Sequence, residues 1–548
     1  MGRPAHKDFV VQGSVLAAAG IISRIIGLLY KVPLVSIIGE AGTGVFNTAY
    51  NIYSILLLIS SYSLPMAVSK MISAKVSGGH YREAKQIFRV SLLFGFGIAL
   101  AAALLMYFGA DLFAGTVMNM PGAALAVRLL APAVLIMGVL GVLRGFFQGH
   151  GNMVPTAVSQ IIEQVLHVVI SLLAAYFLFT RGPEIFAGSR LPAEDLGAAG
   201  AASGTAAGAL AAFLFLLWLY FRIRGPFEKR VRRDTTGLTE TAGDALVLTL
   251  RTALPILISA AVYNLITILD QAMFARYVTE DYSAVWGVYT GKYTVLYNVP
   301  VAIASALSAS VLPQISAAMA RGEKKTARAH IERAVRFTLI IALPCTVAFA
   351  VLGRPCMDLL FSGNNELAGT MMTVGSTALL FFSLSTLTNA ILQGTGHFWV
   401  PIRNCALALA LHLPLLALSL WGFQGGILAV VIQNCQFPLF VCIFNAISLR
   451  RILGYRQELL RSWILPAAVS GLMGLGAWLL YTLLYRLFAP IASLKIRNLA
   501  ALLPTVLVSI ALYFAGLLLS GAVRSSDLEA MPKGASLVRL AQKLHLIR

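Results

Sequence analysis

The sequence predicts an all-α polytopic membrane protein of about fourteen transmembrane helices, arranged as two parallel-repeat six-helix lobes plus a C-terminal helix pair. Three observations carry this prediction. Apolar runs of about 20 residues recur along the chain, each enough to cross a hydrocarbon layer roughly 30 Å thick at about 1.5 Å rise per residue. Only 12% of the residues are charged and 58% are hydrophobic, with a mean hydropathy of +0.82, whereas a soluble chain carries about 25% charged residues. Two passages also recur, in the same order, at an offset of about 244 residues.

The expected spans are 14–38, 44–69, 90–110, 123–143, 155–180, 198–221, 252–275, 284–313, 337–353, 368–393, 404–420, 426–449, 462–485 and 498–520. Their connections test the count. Thirty-one of the 42 Lys and Arg fall in the N-terminal segment, in 70–89, 144–154, 222–251, 321–336, 394–403 and 450–461, and in the tail 521–548. The intervening connections hold seven, three of them in 486–497. Basic residues stay cytoplasmic, so both termini are expected on the cytoplasmic side. The net charge of +20 is read as this bias and not as a nucleic-acid surface.

The first span follows the short polar segment MGRPAHKDFVVQGS and is interrupted by Arg24 and Lys31. No small-residue cleavage site follows it, so it is expected to be retained. The five cysteines (Cys345, Cys356, Cys405, Cys435 and Cys442) contain no C-x-x-C pair and imply neither a disulfide framework nor a metal site. The last residues, SLVRLAQKLHLIR (536–548), alternate apolar and basic groups at helical spacing. They suit an amphipathic helix on the inner leaflet or a frayed basic end.

The repeat sets the domains. VLRGFFQGHGNMVP (142–155) and NAILQGTGHFWVP (389–401) share Gln-Gly-x-Gly followed by proline. AKVSGGHYREAKQIFRVSLL (74–93) and AAMARGEKKTARAHIERAVRFTL (317–339) both turn at glycine and enter a basic amphipathic segment. Six spans per half preserve orientation, so the halves are parallel repeats that rock about a central site. The expected division is an N-terminal lobe 1–221, a cytoplasmic basic linker 222–251, a C-terminal lobe 252–449, an extra two-helix unit 450–520 and the tail 521–548.

Ionisable groups inside a membrane cost at least about 2.5–3.5 kcal/mol and mark cavities or partners. In the fifth span Ser159, Glu163, His167 and Ser171 recur every fourth residue on one helical face, with Gln160 and Gln164 alongside. That stripe suits a hydrophilic cavity wall, against the competing reading of helix–helix hydrogen bonding. Asn47, Tyr50, Asn51 and Ser54 form a further candidate lining in the second span. Arg144 opens the passage that contains Gln148, where its guanidinium could clamp a phosphate or obey the basic bias. In the eighth span Tyr289, Tyr293 and Tyr297 stand at i, i+4 and i+8 beside Lys292. They form either a face for a sugar or headgroup, or an ordinary packed stripe. The seventh span carries Asn264, Thr267, Asp270 and Gln271 at three- and four-residue spacing, and Asp270 could bind a coupling Na⁺ or H⁺, pair with Arg24 or Lys292, or sit near the outer interface. Arg24, Arg144 and Lys292, in or at the mouth of an apolar bundle, suit an anionic substrate.

SRIIGLLYKVP (23–33), SLPMAVSKMISA (63–74), LRGFFQGHGNMVPTAVSQIIEQV (143–165) and SASVLPQISAAMARGE (308–323) resemble the SpoVB/YtgP branch of the multidrug/oligosaccharidyl-lipid/polysaccharide exporter superfamily, related to the MurJ lipid II flippases. The resemblance implies fourteen helices in two six-helix lobes with an extra C-terminal pair, and outward transport of undecaprenyl-linked sugars. It implies that Arg24, in the Ser-Arg-x-x-Gly motif, lines a cationic cavity. The arginines of MurJ proteins late in the second span are absent from LLLISSYSLP (56–65). A MurJ-like Na⁺ site maps loosely onto Asp270 and Asn404.

The expected function is therefore a flippase for lipid II or a related polyprenyl-diphosphate oligosaccharide, working as a monomer with membrane lipid around it and cell-wall synthesis machinery nearby. The substrate residues would be Arg24, Asn51, Arg144, Gln148, Glu163, Gln164 and Lys292. The alternative is a cation-coupled drug antiporter of the same superfamily, which would favour an acidic cavity. An enzyme acting on the same lipid needs paired carboxylates in a sizeable outer loop. The longest such connection, 181–197, offers only Glu184, Glu194 and Asp195. No P-loop is present to bind ATP.

Overall fold

The computed structural model describes residues 5–58, 60, 64–186, 188, 191–236, 241–278, 281–363 and 365–523. Among them are helices and no strands, and eleven helical stretches are long and apolar enough to cross a membrane. The tail 536–548 lies outside the described residues. The chain divides into two compact units, Met1–Gly291 and Lys292–Arg548.

The first unit holds α1 (Ala5–Leu29), α2 (Lys31–Leu57), α3 (Leu64–Ser77), α4 (Tyr81–Phe108), α5 (Ala123–Gly149), α6 (Val154–Ile185), α7 (Ala193–Arg233), α8 (Ala242–Tyr277) and α9 (Tyr282–Val288). Inside the span expected over 14–38 the turn residue Tyr30 separates α1 from α2, and a kink at Gly39 falls between that span and the one expected over 44–69. Gly39 adopts φ 72 and ψ −178, a conformation essentially closed to other residues.

α6 and α7 pack closely along their length, and the sequence explains why. Gly200, Gly204 and Gly208 recur every fourth residue on α7, so they share a face. A Cβ on these residues would run into the Ala174 carbonyl, the Ser171 backbone and the Glu163 carbonyl respectively. Small residues of this kind let membrane helices approach backbone to backbone. Beneath, Leu64, Val68, Ile72, Ile87, Phe88 and Phe146 bury one apolar cluster, with the Phe88 and Phe146 rings 4.6 Å apart.

α7 runs on past its apolar portion into a basic end that docks on α4. Lys85 meets Glu228 at 2.5 Å, and Asp234, buried at the end of α7, accepts the Arg82 backbone N–H at 2.8 Å. The Thr236 hydroxyl and that N–H hold the Asp234 carboxyl down at about 2, because both donate to its charged form.

The second unit holds α10 (Thr294–Ala320), α11 (Lys324–Leu360), α12 (Glu366–Gly375), α13 (Thr377–Gly394), α14 (Trp399–Ala417), α15 (Gly426–Leu453), α16 (Leu465–Leu487) and α17 (Leu494–Leu519). α16 and α17 realise the expected C-terminal pair, and both pack on α11. Their attachment is partly polar. Tyr513 donates its hydroxyl to the Ile340 carbonyl at 2.9 Å. Asn498 donates to the Pro355 carbonyl at 2.8 Å and accepts the Tyr481 hydroxyl at 3.0 Å.

The internal repeat is written into the backbone. After α5, the N–H groups of His150, Gly151 and Asn152 donate to the carbonyls of Phe146, Gln148 and Phe147. After α13, those of Thr395, Gly396 and His397 donate to Ile391, Gln393 and Leu392, the same three offsets. Gly151 and Gly396 have φ 78 and 87. The second pair of turns repeats as closely. Gly79 and Gly322 have φ 80 and 74, and the next residues, His80 and Glu323, each bond back five residues, closing a Schellman-type cap.

Candidate functional site

The Arg144 side chain, near the end of α5, reaches across the turn to α6. Its Nε donates to Ser159 Oγ at 3.1 Å and its Nη2 to Glu163 Oε2 at 2.6 Å. The side chains are 10% and 26% exposed, so the pair is largely withdrawn from solvent. A guanidinium carries five N–H donors, and these contacts use two. Ser159 donates its own hydroxyl to the Thr156 carbonyl at 2.7 Å, which orients its lone pairs toward the arginine.

α2 continues the polar ground. Lys31 donates to Asn47 Oδ1 at 3.2 Å. Asn51 donates to Gln271 Oε1 at 3.2 Å, and Gln271, wholly buried on α8, donates to Thr48 Oγ1 at 2.5 Å. Tyr53 lies within electrostatic range of both Glu163 and Arg144. The first unit thus carries cations, a carboxylate and amides where α2, α5 and α6 meet, inside otherwise apolar helices.

The stripe of the fifth span divides. Ser159 and Glu163 serve Arg144. Ser171 donates to the Ala201 carbonyl of α7 at 2.7 Å, which is helix–helix hydrogen bonding. His167 is buried, edge-on to Tyr30 at 4.9 Å. Gln164 faces α1, where a Cβ on Gly27 would stand 3.0 Å from its amide nitrogen. Arg24, one residue beyond the Ser23 hydroxyl that bonds the Gln160 carbonyl, is exposed and makes no ion pair among the described residues. Gln148 is half-buried and lends its carbonyl to the turn.

Asp270 is buried in the first unit. Asn404 is buried in the second, in an amide knot: it donates to Asn445 Oδ1 at 2.9 Å and Ser448 Oγ at 3.0 Å, and Asn445 donates to Thr388 and Asn389. Lys292 is fully buried and donates to Asn365 Oδ1 at 2.7 Å. Tyr293 donates to the Gly375 carbonyl at 3.0 Å, and Tyr297 stacks on Phe382. Both rings are packed. No group of three metal-ligating side chains forms among the described residues.

Asn47 belongs to the lining expected on the second span and Gln271 to the polar set of the seventh, whereas the sequence pattern did not single out Lys31 or Asn445 as functional. A polar side chain inside an apolar run was the available signal for each. What it lacked was the partner.

The fold defines the class, a multi-pass helical membrane protein. It matches an inward-facing multidrug resistance MATE family transporter of the MOP superfamily (TM-score 0.63, 17% identity, 81% of this chain and 98% of that one). It also matches lipid II flippase MurJ in an inward closed conformation (TM-score 0.62, 15% identity, 91% of this chain and 97% of that one). The polysaccharide biosynthesis protein family matches residues 10–319, more than half of the chain, and the chain belongs to that family. Relatives include the lipid II flippase MurJ of Bacillus subtilis (strain 168), 25% identical over 84% of this chain and 86% of its own length. Stage V sporulation protein B of the same organism is 23% identical over 82% and 85%. The family expected from the sequence motifs is the one found.

Proposed function

We propose that the chain flips a polyprenyl-diphosphate-linked oligosaccharide, lipid II or a related cell-envelope precursor, from the inner to the outer leaflet of the bacterial cytoplasmic membrane by alternating access. The observation that carries this reading is Arg144, a nearly buried guanidinium with donors to spare, held by Ser159 and Glu163. A cation in a low-dielectric setting attracts a diphosphate far more strongly than it would in water. Lys31 adds a second cation on α2. In this reading Glu163 orients Arg144 until the substrate anion takes its place, while Gln148 and Asn51 offer uncharged contacts to the glycan. Arg24, Gln164 and Lys292 are further substrate-facing candidates. Asp270 and Asn404 are candidates for a coupling Na⁺ or H⁺. The name of one Bacillus subtilis relative, lipid II flippase MurJ, supports a lipid-linked substrate. The chain would act as a monomer with both termini cytoplasmic, beside the cell-wall synthesis machinery.

The fold shared with MATE transporters favours the second reading, a cation-coupled drug antiporter. One experiment separates the two. The native lipid II flippase of a competent host is depleted, this chain is supplied, and lipid II accessible from outside is scored alongside efflux of a cationic dye. Restored lipid II exposure, lost in Arg144→Ala, Arg24→Ala and Glu163→Ala proteins that insert normally, is expected. Dye efflux without lipid II exposure would replace the flippase reading with the antiporter.

A further inference from the structure

A cavity of about 430 Å³ opens in the second unit where α15 ends, lined among others by Arg450, Tyr455, Arg456 and Gln457, with Ile447 and Leu459 beside them. The local sequence builds it. α15 stops at Leu453 because Gly454 takes φ 62 and Arg328 donates to the Leu453 carbonyl at 2.5 Å. That turn folds Tyr455 inward until only 7% of it is exposed. Among the described residues, the Tyr455 hydroxyl and the Gln457 amide nitrogen are buried without a hydrogen-bond partner. A buried donor left unsatisfied costs roughly 1–3 kcal/mol, so two at one cavity mark a place where an acceptor is wanted.

The charges around it point the same way. Arg450 and Arg456 are exposed and form no ion pair among the described residues. The neighbouring carboxylates are already engaged. Arg336 donates to Glu332 at 2.8 Å and to Glu458 at 3.5 Å, and Glu458 also accepts from the Arg461 backbone and the Ser462 hydroxyl, both at 2.9 Å. Burial pushes the Tyr455 phenol above its ordinary range, so it stays a neutral donor. The free groups are donors and cations, which fits a phosphate. The apolar side argues for a lipid phosphate. Ile447 is 44% exposed, Leu459 61%, and Ile443, one turn earlier on α15, 44%. This exposed row leads from the cavity along a membrane-spanning helix.

We propose that this cavity binds the phosphate headgroup of an anionic membrane phospholipid. Arg450 and Arg456 hold the phosphate oxygens, Tyr455 and Gln457 donate from beneath, and an acyl chain runs over Ile447 and Ile443. Basic pockets between membrane helices hold such headgroups elsewhere. The site lies wholly in the second unit and stands independently of the transport reading.

The test needs no transport. The purified full chain is titrated with phosphatidylglycerol, with phosphatidylcholine of the same acyl chains, and with inorganic phosphate. Retained lipid is read by native mass spectrometry, and the thermal midpoint is read in parallel. Phosphatidylglycerol is expected to bind about tenfold more tightly than phosphatidylcholine, a difference of about 1.4 kcal/mol. In the Arg450→Gln/Arg456→Gln protein that preference disappears while phosphatidylcholine binding is unchanged. Tyr455→Phe keeps the ring and removes only the unpartnered hydroxyl. It should weaken phosphatidylglycerol severalfold without lowering the lipid-free midpoint, and it decides the matter if the double variant fails to fold. Equal binding of the two lipids, or phosphatidylglycerol retention unmoved by Tyr455→Phe, overturns the proposal. Stabilisation by inorganic phosphate equal to that by phosphatidylglycerol overturns the lipid assignment in favour of a free anion.

Discussion

The Arg144–Glu163 pair can be asked whether it serves the fold or a ligand, because the two roles give different double-mutant cycles. Arg144→Gln leaves a carboxylate that is 26% exposed facing Ser159 and the apolar ends of α5 and α6. Breaking a fully buried pair costs about 3–5 kcal/mol. Partial exposure of Glu163 lets water reach it, so about 2 kcal/mol is the expected loss here. Glu163→Gln leaves the guanidinium unpaired at similar cost. The Arg144→Gln/Glu163→Gln protein puts two amides of similar size in register with Ser159, so its loss should fall short of the sum by about 1–2 kcal/mol. Stability can be read as the rate at which thiols react on heating, since the five cysteines are free and Cys405 is buried. If Arg144 meets the substrate anion, the double variant is about as stable as either single variant yet does not expose lipid II. A double variant that is both stable and fully active would refute the functional assignment. Strict additivity of the two losses would refute the energetic argument, because the pair would then contribute no coupling.

Three further outcomes follow from the same structure. Gly204→Val drives a branched side chain into the Ser171 backbone. An overpacking cost of about 1–3 kcal/mol should appear as a lowered thermal midpoint, with Gly225→Ala, which has open space, as the silent control. Asn498→Ala removes the bonds to the Pro355 carbonyl and the Tyr481 hydroxyl, about 1–3 kcal/mol in all, and limited proteolysis between α16 and α17 should accelerate. Asp234 has a depressed carboxyl pKa, so its stabilising contribution is present above the unfolded value near 3.9 and is lost as pH falls toward about 2. Hydrogen-exchange protection at 228–236, taken relative to the intrinsic rate at each pH, should therefore fall on acidification in the native chain and be low already at neutral pH in Asp234→Asn.

Hydropathy located the helices well because a bilayer demands a long apolar run, and a run is a local property. It did not show the turn at Tyr30, which keeps helical φ −64 and ψ −21 inside an apolar run, whereas the kink at Gly39 falls between the expected spans 14–38 and 44–69. The tyrosine stripe of the eighth span was drawn with α-helical spacing, but residues 289–293 form a π-helical turn, which shifts the register of everything beyond it. Charges inside spans were equally legible as charges. Their partners were not, because Arg144 and Glu163 are joined across a turn and Asn51 and Gln271 across most of the first unit. The fifth-span stripe shows the limit most clearly. One periodic pattern served two purposes, with Glu163 turned to Arg144 and Ser171 tied to α7, and periodicity cannot see which helix stands opposite each residue.

The repeat supplies an internal control on what the charges are for. The turns after α5 and α13 share their hydrogen bonds, yet four residues before Gln148 stands Arg144, and four before Gln393 stands Asn389. Where the first unit has a guanidinium and a carboxylate, the second has Asn389, Asn404 and Asn445 satisfying one another with Thr388 and Ser448. Neutral amides bonded among themselves carry little desolvation penalty, whereas each ion withdrawn from water costs several kcal/mol before its partner offsets it. The same turn geometry is therefore attainable without charge, and the second unit attains it. A fold-only account has to explain why the first unit keeps the more expensive arrangement at the corresponding place. A ligand account does not, because an anion arriving at Arg144 replaces the bond to Glu163 with one the neutral knot could not offer.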